Sequence, residues 1–209
     1  GLHFRADGFR LVMAMIAAIT WFFTTVQSIE YFNKLNGRNR NRYYMFMLWT
    51  LGATMAIFLS ANLYTTFIFF EVMTFTSYVL VIHGESEKAI DASKSYLGFG
   101  VLGGLVTLMG LFMLQANIGT LEMDQILSAI QSSGTSYGMV LASGLLILFG
   151  FGVKAGMYPL HTWLPKAYVA APEPATALLS AVLSKAGIFG IFVVTGQILL
   201  HDYTWGLVI

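Results

Sequence analysis

The sequence predicts an all-α polytopic membrane protein with six transmembrane segments, the fifth a broken helix. Three observations carry that prediction. Of 209 residues, 57% are hydrophobic and only 10% charged, whereas a soluble domain carries about 25% charged residues. Mean hydropathy is +0.73, and apolar runs of about 18 residues or more, each able to cross a bilayer, recur along nearly the whole chain. Basic residues also gather in connections that fall on one side once six spans are counted. The net charge of +1 gives no sign of a nucleic-acid partner. The absence of cysteine excludes disulfides, thiolate catalysis and cysteine-ligated clusters. A first residue of Gly and an apolar 207–209 read as cuts through a longer membrane protein.

The first span is predicted over 9–31, followed by a basic linker holding Lys34, Arg38, Arg40 and Arg42. Residues 43–83 would make about 60 Å of continuous helix, twice the roughly 30 Å bilayer core. The stretch must therefore fold back, and Ser60-Ala61-Asn62 is the expected turn. A polar loop over 84–94 precedes the fourth span at 96–114, and a second polar loop with acidic Glu122 and Asp124 covers 115–137. Segment 138–171 is too long for one span and is interrupted by Pro159 and Pro165, with Gly150, Gly152 and Gly156 before them. Proline removes a helix hydrogen bond and clashes with the preceding turn. The expectation is one half-helix to about Gly152, an unwound stretch, and a short half from about Pro159. Pro172-Glu173-Pro174 opens the sixth span, to about 200, because proline suits the first helical turn. Gly100-xxx-Gly104 and Gly152-xxx-Gly156 are patterns that let helices approach closely.

In this count, the linker after span 1, the loop with Lys88 and Lys94, and the connection with Lys166 share one face, cytoplasmic by the positive-inside rule. Glu122, Asp124 and Asp202 lie opposite, with Arg5 and Arg10 dissenting. The domain reading is a flanking helix and basic loop over 1–42, a five-helix unit over 43–200, and the start of a further segment over 201–209.

Three ionisable residues fall inside spans: Glu71 in the third, Lys154 at the break of the fifth and Lys185 in the sixth. Each costs roughly 2.5–3.5 kcal/mol at a helix centre even on the lenient insertion scale, so all three are expected to face the bundle interior. Glu71 shares a helical face with Tyr64, Thr74 and Tyr78, a polar stripe suited to hydration. Lys154 is expected where the helix unwinds, and irregular backbone at membrane depth is tolerated where it lines an enclosed or wet space. One reading is a structural ion pair between Glu71 and a lysine. The other is proton transfer, which lysine can perform and arginine cannot. His161, just past the break, is a candidate proton carrier between bulk water and Lys154, and His83 a weaker candidate for entry. His3 and His201 read as interfacial. No helix-spaced histidine pair or carboxylate cluster points to a metal, and no glycine-rich nucleotide loop is present.

Two stretches carry a family resemblance: Phe70-Glu71-Val72-Met73-Thr74-Phe75-Thr76-Ser77-Tyr78, and Gly152-Val153-Lys154-Ala155-Gly156-Met157-Tyr158-Pro159-Leu160-His161-Thr162-Trp163-Leu164-Pro165-Lys166-Ala167. With Ala171-Pro172-Glu173-Pro174-Ala175 and the run from Ala177 to Gly187, they resemble the antiporter-like subunits of respiratory complex I, Mrp-type sodium/proton antiporters and membrane-bound hydrogenases. The resemblance covers about 7–195. It implies a bundle of two inverted five-helix repeats, each with one broken helix, of which this chain is one half-channel. It also implies that a Glu71–Lys154 pair forms and breaks, and that Lys154 passes a proton toward Lys185. Expected partners are other membrane subunits, the lipid bilayer and protons, or sodium in the antiporter alternative, with no cofactor and no nucleic acid. The expected setting is the cell (inner) membrane, and the expected role is proton translocation in a redox-driven complex. An Mrp-type antiporter subunit is the alternative and a purely structural subunit the third. Any redox chemistry would belong to partner subunits, leaving this chain at most a translocase component.

Overall fold

The computed structural model describes residues 1–34 and 39–199, so Arg38, His201, Asp202 and the 201–209 segment lie outside the described residues. Every regular element among the described residues is helical: α1 (Gly8–Lys34), α2 (Arg40–Phe58), α3 (Leu63–Val81), α4 (Glu87–Ile118), α5 (Met123–Ser132), α6 (Tyr137–Ala155), α7 (Trp163–Ala170), α8 (Glu173–Leu178) and α9 (Ser184–Val194). Five segments are long and apolar enough to cross a membrane: Gly8–Lys34, Leu63–Gly84, Glu87–Ile118, Tyr137–Ala170 and Glu173–Leu199. The predicted second span, α2, is not among them; its first turn carries Arg40 and Arg42.

The predicted fold-back at 60–62 is present. Helices α2 and α3 run antiparallel, with Ser60 Oγ 2.6 Å from Thr66 Oγ1 and Thr50 Oγ1 donating to Thr76 Oγ1 at 2.9 Å. Asn62 caps α3 by accepting from the Thr65 N–H at 2.7 Å, satisfying one of the free donors of the first turn. The N-terminal segment and the α4–α5 connection both pair with this turn, through isolated bridges Phe4↔Ser60 and Asn62↔Glu122. Arg10 locks the junction. Its guanidinium pairs with Asp7 and donates to Ser60 O at 2.9 Å, with Met123 Sδ 3.2 Å away. The second dissenting arginine, Arg5, pairs with Asp124. The two basic residues on the acidic side are thus neutralised by neighbours.

Three boundaries differ from the expectation. The stretch 84–94, read as loop, is largely the start of α4: Ser86 Oγ accepts from the Ala89 N–H at 3.1 Å, and the helix begins at Glu87. At 32 residues, α4 is about 48 Å long and carries Lys88, Asp91 and Lys94 on its first turns. The stretch 115–137 contains α5, an amphipathic helix whose Met123 and Ile126 point inward. The break of the fifth segment also comes later than Gly152. Helix α6 continues to Ala155, and Gly156, in the left-handed region at φ 79°, ends it. The Met157 N–H returns to Gly152 O at 2.9 Å and the Gly156 N–H to Val153 O at 3.3 Å, a Schellman closure that only glycine adopts without strain. Past a turn and a short 3-10 segment, Leu160–Thr162, α7 follows. Lys154 therefore sits in the last turn of an intact helix, not on unwound backbone.

The sixth segment starts at Glu173 with proline in its first turn, as predicted. It contains two π-helical turns, Leu179–Leu183 and Thr195–Leu199, that nothing in the sequence foretold.

Helix α4 packs antiparallel on α6 at backbone distance. A Cβ at Gly103 would lie 3.2 Å from Val153 Cβ, and one at Gly110 2.8 Å from Ile147 Cγ1. Helix α9 meets α6 the same way, a Cβ at Gly187 falling 2.7 Å from Phe151 O. The Gly152-xxx-Gly156 pair is not a crossing motif: Gly152 faces Met157, and Gly156 is the helix terminus.

Candidate functional site

Helices α3 and α4 zip together antiparallel through small residues, and the zip frames the site. Ser77 meets Tyr96, their hydroxyls 2.5 Å apart. One turn along, a Cβ at Gly100 would lie 2.7 Å from Thr74 Cγ2, and one turn further a Cβ at Gly104 would lie 2.8 Å from Glu71 Cδ. The Glu71 carboxylate thus lies flat against the Gly104 backbone, in space that any larger residue would fill.

Lys154 enters this zip from α6. Only 4% of it is exposed. Its Nζ donates to the Tyr96 hydroxyl and lies 3.4 Å from Thr74 Oγ1. The ammonium also sits 4.4 Å from the Tyr96 ring centroid and 5.9 Å from that of Trp163, within the range of cation–π attraction. Trp163 is itself fixed, its indole N–H donating to Val153 O at 2.9 Å. A cavity of about 10 Å³ adjoins the lysine, lined by Phe70, Tyr96, Gly100, Gly150, Val153 and Trp163. It has room for about one water.

Among the described residues, no ion pair joins Glu71 to Lys154, and Glu71 Oε1 is buried without a hydrogen-bond partner. The two groups face one site from positions about one helical turn apart, since Thr74, which Lys154 touches, is three residues beyond Glu71 on α3. Lys154 is thus bonded to two neutral hydroxyls, Tyr96 and Thr74, while the Glu71 carboxylate lies on the same face of α3 as Thr74.

The other expected residues are distributed as follows. Thr74 is buried at the centre, its hydroxyl donating to Phe70 O at 2.9 Å. Tyr78 is half-buried one turn beyond, whereas Tyr64, expected on the same stripe, is exposed. His161 is half-buried past the helix break, stacked on Tyr158 at 5.7 Å between ring centroids. His83 is boxed at the far end of α3 by Phe32 and Tyr43, at 5.5 and 5.3 Å, about 18 Å along the helix from Glu71.

Lys185 departs from the expectation of a buried charge. It is exposed on this chain, its Nζ donating to Ser180 O at 2.6 Å. The reason is helical phase. Gly187 and Gly190 press α9 against α6, and Lys185, two residues before Gly187, points about 200° around the helix from that contact. It is at the depth of the Lys154 turn, because Gly187 touches the backbone of Ala155, but the thickness of α9 separates the two lysines.

Sequence reasoning missed Tyr96 and Ser77, the lysine's hydroxyl partners. The only available signal was Ser77 three residues after Thr74 on the same face of α3; Tyr96 read as the first residue of a span.

Known proteins share this arrangement of helices. Residues 60–209 match the family described as NADH:quinone oxidoreductase/Mrp antiporter, TM. The chain is 31% identical over 202 residues to a Na(+)/H(+) antiporter subunit of Bacillus subtilis (strain 168), covering 97% of this chain and 40% of that protein. It is 29% identical over 211 residues to hydrogenase-4 component B of Escherichia coli (strain K12), covering 100% of this chain and 31% of the relative. Among solved structures, a chain of the membrane-bound sulfane sulfur reductase, an archaeal respiratory membrane complex, overlays with a TM-score of 0.83 at 26% identity, covering 91% of this chain and 38% of that one. The chain therefore spans less than half the length of these relatives.

Proposed function

The chain belongs to the NADH:quinone oxidoreductase/Mrp antiporter transmembrane family, and on that premise we propose that it is the proton-translocating half-channel of a membrane subunit in a redox-driven complex. The observation that carries the reading is Lys154, a buried cation held by hydroxyls and aromatic faces, with the Glu71 carboxylate about one turn away and unengaged. A structural ion pair would bring the two charges together; a transfer site needs them to meet and part. When Lys154 swings to Glu71 the pair is neutralised; when it returns, its proton is available for release. The surrounding residues serve that exchange. His161 carries protons between the basic side and Lys154. Thr74 and Tyr78 hydrate the approach to Glu71, and His83 stands at the basic end of that helix. Lys185 receives the proton beyond α9.

The exposed position of Lys185 supports its part. A lysine facing hydrocarbon at this depth costs roughly 2.5–3.5 kcal/mol, so the face of α9 that carries it is covered by protein or water in the assembled complex. Helix α2, paired along its length with α3, completes six spans, with the basic connections cytoplasmic and the bilayer that of the bacterial inner membrane. The whole forms one half of an inverted-repeat arrangement. Partners are further membrane subunits, and any electron transfer belongs to them.

The test is Lys154→Met in the full-length subunit within its complex, read as proton uptake into inverted vesicles. Loss of transport with assembly retained is expected; unchanged transport by the assembled complex rejects the reading. The likeness to the Bacillus subtilis antiporter protein favours one second reading, a sodium/proton antiporter subunit. Sodium-dependent exchange without an electron donor would select it.

A further inference from the structure

Tyr96 is almost fully buried at the start of the membrane-embedded part of α4, and its hydroxyl is the meeting point of two groups from different helices. An ammonium has only protons to give, so toward Lys154 the tyrosine oxygen accepts. Its own proton then points at Ser77 Oγ, 2.5 Å away. Ser77 in turn donates to Met73 O at 2.5 Å. The chain of hydrogen bonds therefore has one direction, from Lys154 through Tyr96 and Ser77, and it ends on a backbone carbonyl that has no proton to pass on. A through-going wire would have to end on water or a titratable group. This one is a dead end, and it suits a cradle rather than a relay.

The ring completes the cradle. Its ring centroid lies 4.4 Å from Nζ, and Trp163 packs edge-on against it with ring centroids 5.1 Å apart. On the Glu71 side, Thr74 Oγ1 offers the next acceptor, 3.4 Å from Nζ.

We propose that Tyr96 is a positioning residue that holds the Lys154 ammonium off Glu71, giving the lysine two resting places: the Tyr96–Ser77 cradle and the Glu71 carboxylate. The proposal rests on the proton-transfer reading of Lys154 and adds to it the competitor that keeps the Glu71–Lys154 pair from closing permanently. Without the tyrosine hydroxyl, the lysine's best remaining partner is the carboxylate, and the pair stays closed.

The experiment is Tyr96→Phe in the full-length subunit within its assembled complex, compared with Lys154→Met in the same vesicles. Phenylalanine keeps the ring, the packing and the cation–π face, and removes only the acceptor. Assembly at the normal level is expected. Transport should be slowed roughly tenfold, the scale of one hydrogen bond to a charged group, and the pH of half-maximal transport should be displaced. In the Glu71→Gln background the carboxylate that Tyr96 opposes is gone, so the same substitution should neither slow the remaining transport nor displace its profile further. A purely structural tyrosine would change the amount of complex without moving the pH profile. A normal rate and profile in Tyr96→Phe, with Lys154→Met inactive, overturns the role of Tyr96 alone; an active Lys154→Met overturns the transfer reading beneath it. If Tyr96→Phe does not assemble, Ser77→Ala carries the test, since it removes the acceptor that orients the tyrosine. An unchanged pH profile there overturns the assignment.

Discussion

Among the described residues, the cations Arg10 and Lys154 are both buried, and they are held in opposite ways. Arg10, 8% exposed, pairs with Asp7, donates to Ser60 O and touches Met123 Sδ. Lys154, 4% exposed, has no carboxylate partner in hydrogen-bonding range among those residues and rests on Tyr96 and Thr74. The guanidinium is permanently charged and its planar fork is matched by fixed acceptors; every change of position would cost a partner. The ammonium is a compact charge on a flexible four-carbon stem, and the proposed switch gives it Glu71 as an alternative partner. A buried charge whose partners are all engaged is scaffold. One held by neutral groups beside an unengaged countercharge fits the proposed switch.

The largest effect expected from breaking this contrast is at Lys154. Methionine there keeps the apolar stem and removes the exchangeable proton, so transport should fall at least about a hundredfold, the lower range for losing a proton-transfer group, with complex assembly unchanged on native gels. Arg10→Leu should do the reverse. It strips the lock between α1, the α2–α3 turn and α5, taking the charged donor away from Ser60 O and Asp7 together, and should destabilise by about 3 kcal/mol, the upper range for hydrogen bonds to a charged group. Thermal unfolding and complex yield should both drop, while transport per assembled complex stays normal. If Arg10→Leu assembled fully but failed to transport, the division between scaffold and switch would be wrong.

A smaller effect tests the frame that both cations depend on. A Cβ at Gly150 would collide with the Thr107 hydroxyl and approach Thr107 Cβ to 3.0 Å. Gly150→Ala should therefore push α6 from α4 at a cost of about 1–3 kcal/mol. Because Gly150 lines the cavity beside Lys154, transport should decline with stability. The measurement is the melting temperature of the complex alongside its rate.

The contrast itself was only half legible in the sequence. Glu71 and Lys154 stand out as charges in apolar runs, and their insertion cost marks them without any structure. The turn at 60–62 and the proline start of the sixth segment follow from length and local chemistry. Arg10, near a predicted span end, reads in the sequence only as a basic residue dissenting from the acidic side, because its partners Ser60 and Met123 are distant in sequence and meet it only through the α2–α3 turn and α5. Tyr96 and Ser77 were invisible for a similar reason: hydroxyl residues are common in apolar helices, and their pairing belongs to the α3–α4 interface. Helix α5 was readable in principle, since Met123, Ile126, Leu127 and Ile130 follow helical spacing, but the acidic loop context masked it. The orientation of Lys185 depended on which face of α9 the glycines turn toward α6, and apolar residues all round that helix hide the phase.

The smallest expected effect separates the two cations by pH alone. Asp7 accepts a hydrogen bond from the backbone N–H of Arg10 and pairs with its guanidinium. That backbone bond, followed by the charges of Arg10 and Arg5, holds the Asp7 carboxyl below its ordinary value of 3.8 in spite of partial desolvation. A carboxyl lowered by folding stabilises fully above its unfolded value, and the contribution is lost as pH falls through the folded one. Asp7→Asn keeps the helix cap and removes the charge. Wild type should therefore exceed Asp7→Asn in stability by less than about 1 kcal/mol at neutral pH, because the carboxylate is partly exposed and screened. The difference should shrink to nothing as the medium is acidified below the ordinary carboxylate range. Paired thermal melts across that range measure it. Lys154 has no such partner to lose there, so Lys154→Met should remain inactive at every pH where the complex holds together. If its transport returned on acidification, a group other than this lysine would be carrying the proton.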